Sequence, residues 1–434
     1  MNEPGAPAAL INRLFAALAV TLTGDAVTLV ALPLIAVLVL HASPGELALV
    51  GLAQALPILL LSIPLGAWVD RRRGRWPLLV ISDVGRAGVL LSVPLAAATG
   101  VLTLPMLIGV AFALSCLAAI FDLAFAGWVP RLLSGDALHR ANARTELARS
   151  AALVVGPLLA GGIVTVFSAP IALLLDAASF VASAVFIWSA RRAEPVFDRA
   201  PRRRHIRDEL IAGAQFLGQQ PLVAAVAATV MINNLSRNVA LGIAVLYLVD
   251  VARLGPAEIA IAFALGNAGF VVGAIVARRT TARLGMGRTM QLGIALFGPS
   301  MLLFAFAPAQ LAGPAFSLML FANGFGIAIH NVNQVTVRQI LTPDRLRARV
   351  ASVLRLLGFG AVPVGTLIGG ILGEVVGLRG ALVVSSVGLA AGSLPYVLVR
   401  IGRVRTVGDL TPADLPTDET VTPGPRAWQP GRTP

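Results

Sequence analysis

Twelve apolar segments, each long enough to cross a bilayer as a helix, take up most of this 434-residue chain. A hydrocarbon core about 30 Å thick is spanned by roughly 20 helical residues. Backbone polar groups in lipid must be satisfied within the chain, so long apolar runs mean helices. The segments fall at about 12–40, 46–69, 77–98, 103–128, 147–167, 170–190, 221–249, 256–278, 288–307, 313–337, 350–375 and 379–400. Charged residues make up 13% of the chain and apolar residues 57%; a soluble globular protein carries about 25% charge. This excludes a water-soluble globule, a disordered chain and a disulfide-stapled secreted domain. The single Cys116 is expected to pack. The first segment lacks a basic lead-in and a cleavage pattern, so it is expected to be a retained helix.

All 34 basic residues are Arg, and the net charge is +13. Such a balance can signal nucleic-acid binding, but the placement of the arginines argues for a membrane. They cluster in alternate gaps: Arg71, Arg72, Arg73 and Arg75; Arg131, Arg140 and Arg144; seven between 191 and 207; Arg279, Arg283 and Arg288; Arg345, Arg347 and Arg349; Arg403 and Arg405. The opposite gaps hold almost none. Cytoplasmic loops collect positive charge, so both termini and the middle gap are expected in the cytoplasm. The all-Arg usage points to a GC-rich bacterial genome, hence a bacterial plasma membrane.

A shift of 208 residues aligns the chain with itself. Residues 35–40 fall on 243–248, Asp136 and Leu138 on Asp344 and Leu346, and 161–163 on 369–371. A shift of 207 sets Gly66-Ala67 on Gly273-Ala274 and Arg71-Arg72 on Arg278-Arg279. The expectation is an all-α membrane protein of twelve spans in two pseudo-symmetric six-helix halves. Residues 1–190 form the first half, 191–220 a cytoplasmic linker, 221–402 the second half, and 403–434 a disordered tail. Halves of this kind, with a site between them, suggest a secondary transporter.

The sequence Gly66-Ala-Trp-Val-Asp70-Arg71, followed by Gly74-Arg75, resembles motif A of the major facilitator superfamily. Asp83-Val-Gly-Arg86, Gly24-Asp25, Leu56-Pro57 and Val129-Pro130-Arg131 resemble the branch of enterobactin exporters and macrolide efflux proteins. The resemblance implies the twelve-helix fold and a conformational-switch role for Gly66, Asp70, Arg71, Gly74, Arg75, Asp83 and Arg86. The second half has Ala277 where Asp70 would align, so the switch is asymmetric. Gly156-Pro157-Leu-Leu-Ala160-Gly161 resembles the helix-five motif linked to antiport. Its glycines equally suit close helix packing.

Charges at membrane depth are costly and commonly functional. Asp25 lies mid-way along the first span and Arg237 mid-way along the seventh, and a pair between them would join the halves. Such a pair either couples to protons or statically fixes packing. At the 208 shift Asp25 falls on Asn233 and Asp122 on His330. Asp122 and His330 could relay protons from equivalent positions. Asn233, Asn234, Asn331 and Asn333 are unusually polar for spans; they either contact substrate or line a wet vestibule. Asp176 is expected to pack or cap. Glu146 and Arg149 share a helix face, and with Arg355 they are gate candidates or a solvated surface.

The absence of Lys removes the phosphate-binding Gly-x4-Gly-Lys loop, and no Cys/His cluster offers a metal site. No enzyme, cofactor or metal is expected. The resulting expectation is proton-coupled antiport exporting a hydrophobic or amphipathic drug-like molecule, as in multidrug resistance. A siderophore exporter, a small-metabolite symporter and a non-transporting sensor remain alternatives. The expected partners are a small molecule, protons and the bilayer, with no nucleic acid, and the protein is expected to be a monomer.

Overall fold

The computed structural model describes residues 8–70, 72, 74–132, 135–189, 191 and 206–410. Their regular structure is helical throughout. The first half comprises Ala8–Leu38 (α1), Pro44–Asp70 (α2), Trp76–Ala98 (α3), Leu104–Leu132 (α4), Gly135–Val166 (α5) and Ala169–Ser189 (α6). Ile206–Gln219 (α7) precedes the second half. That half holds Pro221–Leu246 (α8), Pro256–Leu284 (α9), Met286–Ala295 with Phe297–Phe306 (α10, α11), Ala312–Leu341 (α12), Asp344–Val375 (α13), and Gly377–Ala391 with Leu394–Leu398 (α14, α15). Twelve helical spans are long and apolar enough to cross a membrane. Two spans are broken in the same way. Pro299 and Pro395 lack the N–H that would bond four residues back, where α10 and α14 end.

In the first half α1 packs on α5 and α6, α3 on α4 and α6, and α2 on α4. In the second, α8 packs on α13, α9 on α12, and α11 on α14. The halves meet through α2 with α13 and α5 with α9. These pairs are spans two with eleven and five with eight, which a six-span shift exchanges. Ile81, Leu95, Val185, Ile275 and Val387 are exposed on the outer surface, as lipid contact requires.

Glycine lets the halves approach closely. A Cβ on Gly370 would sit 2.4 Å from the Ala48 Cβ, and one on Gly161 2.1 Å from the Ala260 Cβ. Asn267 Nδ2 donates to the Leu153 carbonyl at 2.8 Å. Glu374 accepts from Ser43 Oγ at 3.2 Å and from the Gly45 N–H at 3.0 Å. These contacts lie toward the ends remote from the Arg-rich loops. The halves are therefore closed on that face.

Within the expected linker 191–220, residues 206–219 form α7. Phe216 and Leu217 are buried, and a Cβ on Gly213 would meet the Arg349 carbonyl oxygen at 2.7 Å. Apolar residues on one face of a polar segment drive this docking onto α13. Gly213→Leu is expected to destabilise the protein by ~1–3 kcal/mol through overpacking, read as a lowered melting temperature. An unchanged melt would mean that α7 does not dock there.

The tail is also ordered beyond 403. The N–H groups of Met286 and Gly287 donate to Arg405 and Val404 at 3.0 and 2.8 Å. The backbone N–H groups of Thr406 and Arg405 hold the Asp409 carboxyl below its ordinary range. Residues 411–434 lie outside the described residues. The helices α5 and α13 begin at 135 and 344, well before their apolar runs, because charged residues on exposed turns continue a helix that burial does not require.

Candidate functional site

Gly24 brings α1 against α6. A Cβ there would lie 2.1 Å from Asp176 Oδ1 and 2.2 Å from Ser179 Oγ. The next residue, Asp25, is thereby set beside the buried Asp176 of α6. Gly156 acts in the same way between α5 and α1, where its Cβ would fall 2.3 Å from the Ala26 Cβ. Pro157 is buried beside it. The helix-five motif therefore packs α5, with Gly156 facing α1 and Gly161 facing α9.

Arg86 of α3 is the cation that these contacts surround. Its Nη2 lies 2.5 Å from Asp83 Oδ1, one helical turn away, and its Nη1 3.4 Å from Asp25 Oδ1. The guanidinium is held 4.1 Å from the Phe180 ring centre and 4.7 Å from that of Phe121. Asp83 and Arg86 are buried, whereas the Asp25 side chain is 44% exposed. Asp176 is buried and accepts hydrogen bonds from Thr28 Oγ1 and Ser179 Oγ.

Asp25, Arg86 and Asp176 line a cavity of about 440 Å³ with Thr28, Gln54 and Arg149. Leu29, Leu32, Ile58, Leu114 and Phe180 supply its apolar wall. Asp122 of α4 is exposed and near enough for its charge to act on Asp25. Arg86 is flanked by the carboxyl groups of Asp25, Asp83 and Asp176, and Arg149 is a second guanidinium on the same cavity wall.

Several expected constellations are not assembled. Asp25 pairs with Arg86 in its own half, not with Arg237 across the halves. Among the described residues no carboxylate pairs with Arg237. The helix-to-helix packing of α1, α3 and α6 decides this. His330 is buried and its Nε2 lies 2.6 Å from the Tyr396 hydroxyl, so it does not share a cavity with Asp122. Equal position in a repeat does not mean an equal face toward the cavity.

Asn233 is buried with its amide against Gly392, and its Nδ2 donates to the Thr229 carbonyl. Asn333 bonds Thr281 of α9, so both residues serve packing. Asn331 is exposed. Asn234 donates to the Gly358 carbonyl at 3.0 Å and lines a second, smaller cavity with Arg355. Glu146 and Arg149 are exposed, and no ion pair joins them to each other or to Arg355 in this structure.

Of the motif-A residues, Arg75 is buried with its guanidinium against Gly127, and Gly66 sits near Leu123. Gly74 is half-buried. Arg71 and the Asp70 side chain lie outside the described residues. Asp176, Thr28 and Ser179 escaped the sequence-based site. The Gly24-Asp25 step and the Asp176–Ser179 spacing were the available signals.

Two six-helix halves, joined through spans two, five, eight and eleven on the face remote from the Arg-rich loops and holding a cavity with polar groups at membrane depth, define a multi-pass membrane transporter. The chain belongs to the Major Facilitator Superfamily, whose description matches residues 14–366. It is 27% identical over 408 residues to the multidrug efflux pump Tap of Mycolicibacterium fortuitum, covering 90% of this chain and 94% of that one. It is 24% identical over 405 residues to the uncharacterized MFS-type transporter YfiS of Bacillus subtilis (strain 168), covering 92% and 93%. Among solved structures, a bacterial homologue of the iron transporter ferroportin in an inward-facing state superimposes with a TM-score of 0.73 at 16% identity, covering 92% of this chain and 99% of that one. The nucleoside transporter NupG gives 0.71 at 12%, covering 90% and 99%. The structural likenesses bear on fold alone.

Proposed function

We propose that this transporter exports an amphipathic organic molecule in exchange for protons, by alternating access. The observation that carries the reading is the Asp25–Arg86 pair opening into the 440 Å³ cavity, backed by buried Asp83 and Asp176. Arg86 is shared among carboxylates. A proton on Asp25 frees the guanidinium to favour Asp83, and cargo entering the cavity competes for the same carboxylate. Binding of proton and cargo is then reciprocally linked. The apolar wall suits a lipophilic body, and the likeness to a named multidrug efflux pump supports export. The Asp-x-x-Arg of α3, resembling enterobactin exporters and macrolide efflux proteins, also favours export.

In this reading the Arg-rich face and both termini are cytoplasmic. The closed outer ends of α2, α5, α9 and α13 then leave the cavity accessible from the cytoplasm. The working unit in this reading is the monomer.

The test is proton release from purified protein on addition of a panel of lipophilic drugs and siderophores. The parent is expected to release protons with at least one compound. Asp25→Asn is expected to bind that compound without release. Release of equal size from both proteins would remove Asp25 as the carrier.

A further inference from the structure

The second half holds a cavity of about 240 Å³ between α8, α12 and α13 that the proton chemistry above does not use. Two guanidinium groups line it, Arg338 of α12 and Arg355 of α13, with the amides of Asn234 and Gln334. Leu354 and Phe359 add apolar surface. Among the described residues, no carboxylate lines this cavity. Among the same residues, neither the Arg338 nor the Arg355 guanidinium has an ion pair or a hydrogen bond, and the Gln334 side-chain amide has no hydrogen bond. The two arginines are close enough to act on each other's charge.

Arg338 is half-buried and Arg355 exposed, and like charges held close together repel. Within a helical span such groups find partners or face a ligand. Guanidinium groups bind carboxylate and phosphate through paired N–H donors. The first half, by contrast, lines its cavity with Asp25 and Asp176 beside Arg86 and Arg149. One half thus carries the carboxylates and the other carries only cations at its cavity wall.

We propose that the Arg338–Arg355 cavity is an anion-binding subsite that takes a carboxylate or phosphate group attached to an apolar body. This rests on the export reading and narrows its cargo to amphipathic anions and zwitterions. Gln334 donates to the anion alongside the two guanidiniums, and Leu354 and Phe359 contact the adjoining carbon skeleton. A lipid headgroup offers the same chemistry as a soluble anion.

The full chain in phosphatidylcholine nanodiscs is titrated with 1-naphthoate, and with 1-naphthamide as the uncharged control, by calorimetry. The parent is expected to bind naphthoate at least tenfold more tightly than the Arg338→Gln/Arg355→Gln variant. Naphthamide should bind both equally. The Arg338→Lys/Arg355→Lys variant retains charge and is expected to recover most of the affinity, which separates charge from folding. If the resident anion is a headgroup, phosphatidylglycerol in the disc weakens naphthoate binding to the parent and leaves the Gln variant unchanged. Indifference to phosphatidylglycerol assigns the subsite to a soluble anion.

Equal naphthoate affinity in the parent and the Gln variant overturns the proposal. So does undetected naphthoate binding to the parent when phosphatidylglycerol also shifts the melting of parent and Gln variant alike. The two readings fail separately. Loss of charge discrimination with drug-induced proton release intact removes this subsite alone. Naphthoate discrimination without proton release from any compound removes the antiport reading.

Discussion

Arg86→Met is expected to destabilise the protein by about 3–5 kcal/mol, because it leaves buried carboxylates without their cation. Asp83 is the main source of this loss: it is buried and its closest partner is Arg86 at 2.5 Å. The guanidinium also lies against Phe121 and Phe180, and a desolvated cation–ring contact contributes on the order of 2 kcal/mol. Met keeps comparable bulk, so the change reads charge more than volume. Adding Asp83→Asn to Arg86→Met should recover most of the loss, since the orphaned charge then disappears. The deficit should also narrow in acid, where the carboxyls are neutral. Melting temperatures of the parent, both single variants and the double variant complete the cycle. A stable Arg86→Met, or no recovery on adding Asp83→Asn, would show that Arg86 does not balance these carboxyls.

Gly370→Val should force the halves apart on the face remote from the Arg-rich loops. A Cβ at this position would already lie 2.4 Å from the Ala48 Cβ and 2.9 Å from the Pro44 carbonyl oxygen. The Pro44 backbone cannot move without shifting the start of α2, so the strain falls on the contact between halves. Overpacking of ~1–3 kcal/mol acting on one conformer alone moves the equilibrium by about 5–150-fold. Spin labels at Val101 and Leu311, both exposed in connections of opposite halves remote from the Arg-rich loops, should show a longer distance in Gly370→Val than in the parent. Gly370→Ala should act in the same direction with a smaller shift. A folded Gly370→Val with an unchanged distance distribution would place the closure elsewhere.

The Asp83–Arg86 contact follows from a three-residue spacing on one helix, whereas the contact of Asp25 with Arg86 between helices does not follow from spacing. Asp25, Asp83 and Arg86 stand out in sequence because charge is rare inside apolar runs. That Asp25 meets Arg86 and not Arg237 follows from Gly24, which admits α6 within reach of α1 and sets Asp176 beside them. Arg338 was hidden because it sits three residues before the end of α12, where an arginine reads as a loop charge.

The sequence by itself determined the helices, their number and their division into two related halves. Lipid allows few ways to satisfy a backbone, so an apolar run of the right length carries that information locally. The same holds for the alternation of arginines between successive loops. Which side chains meet was decided only by the tertiary structure, because it depends on how far each helix is turned about its axis. That rotation is set by small residues such as Gly24, Gly156 and Gly370 at crossings between segments far apart in the chain. Asp122 and His330 show the consequence: they match in the repeat, yet one is exposed and the other is buried against Tyr396.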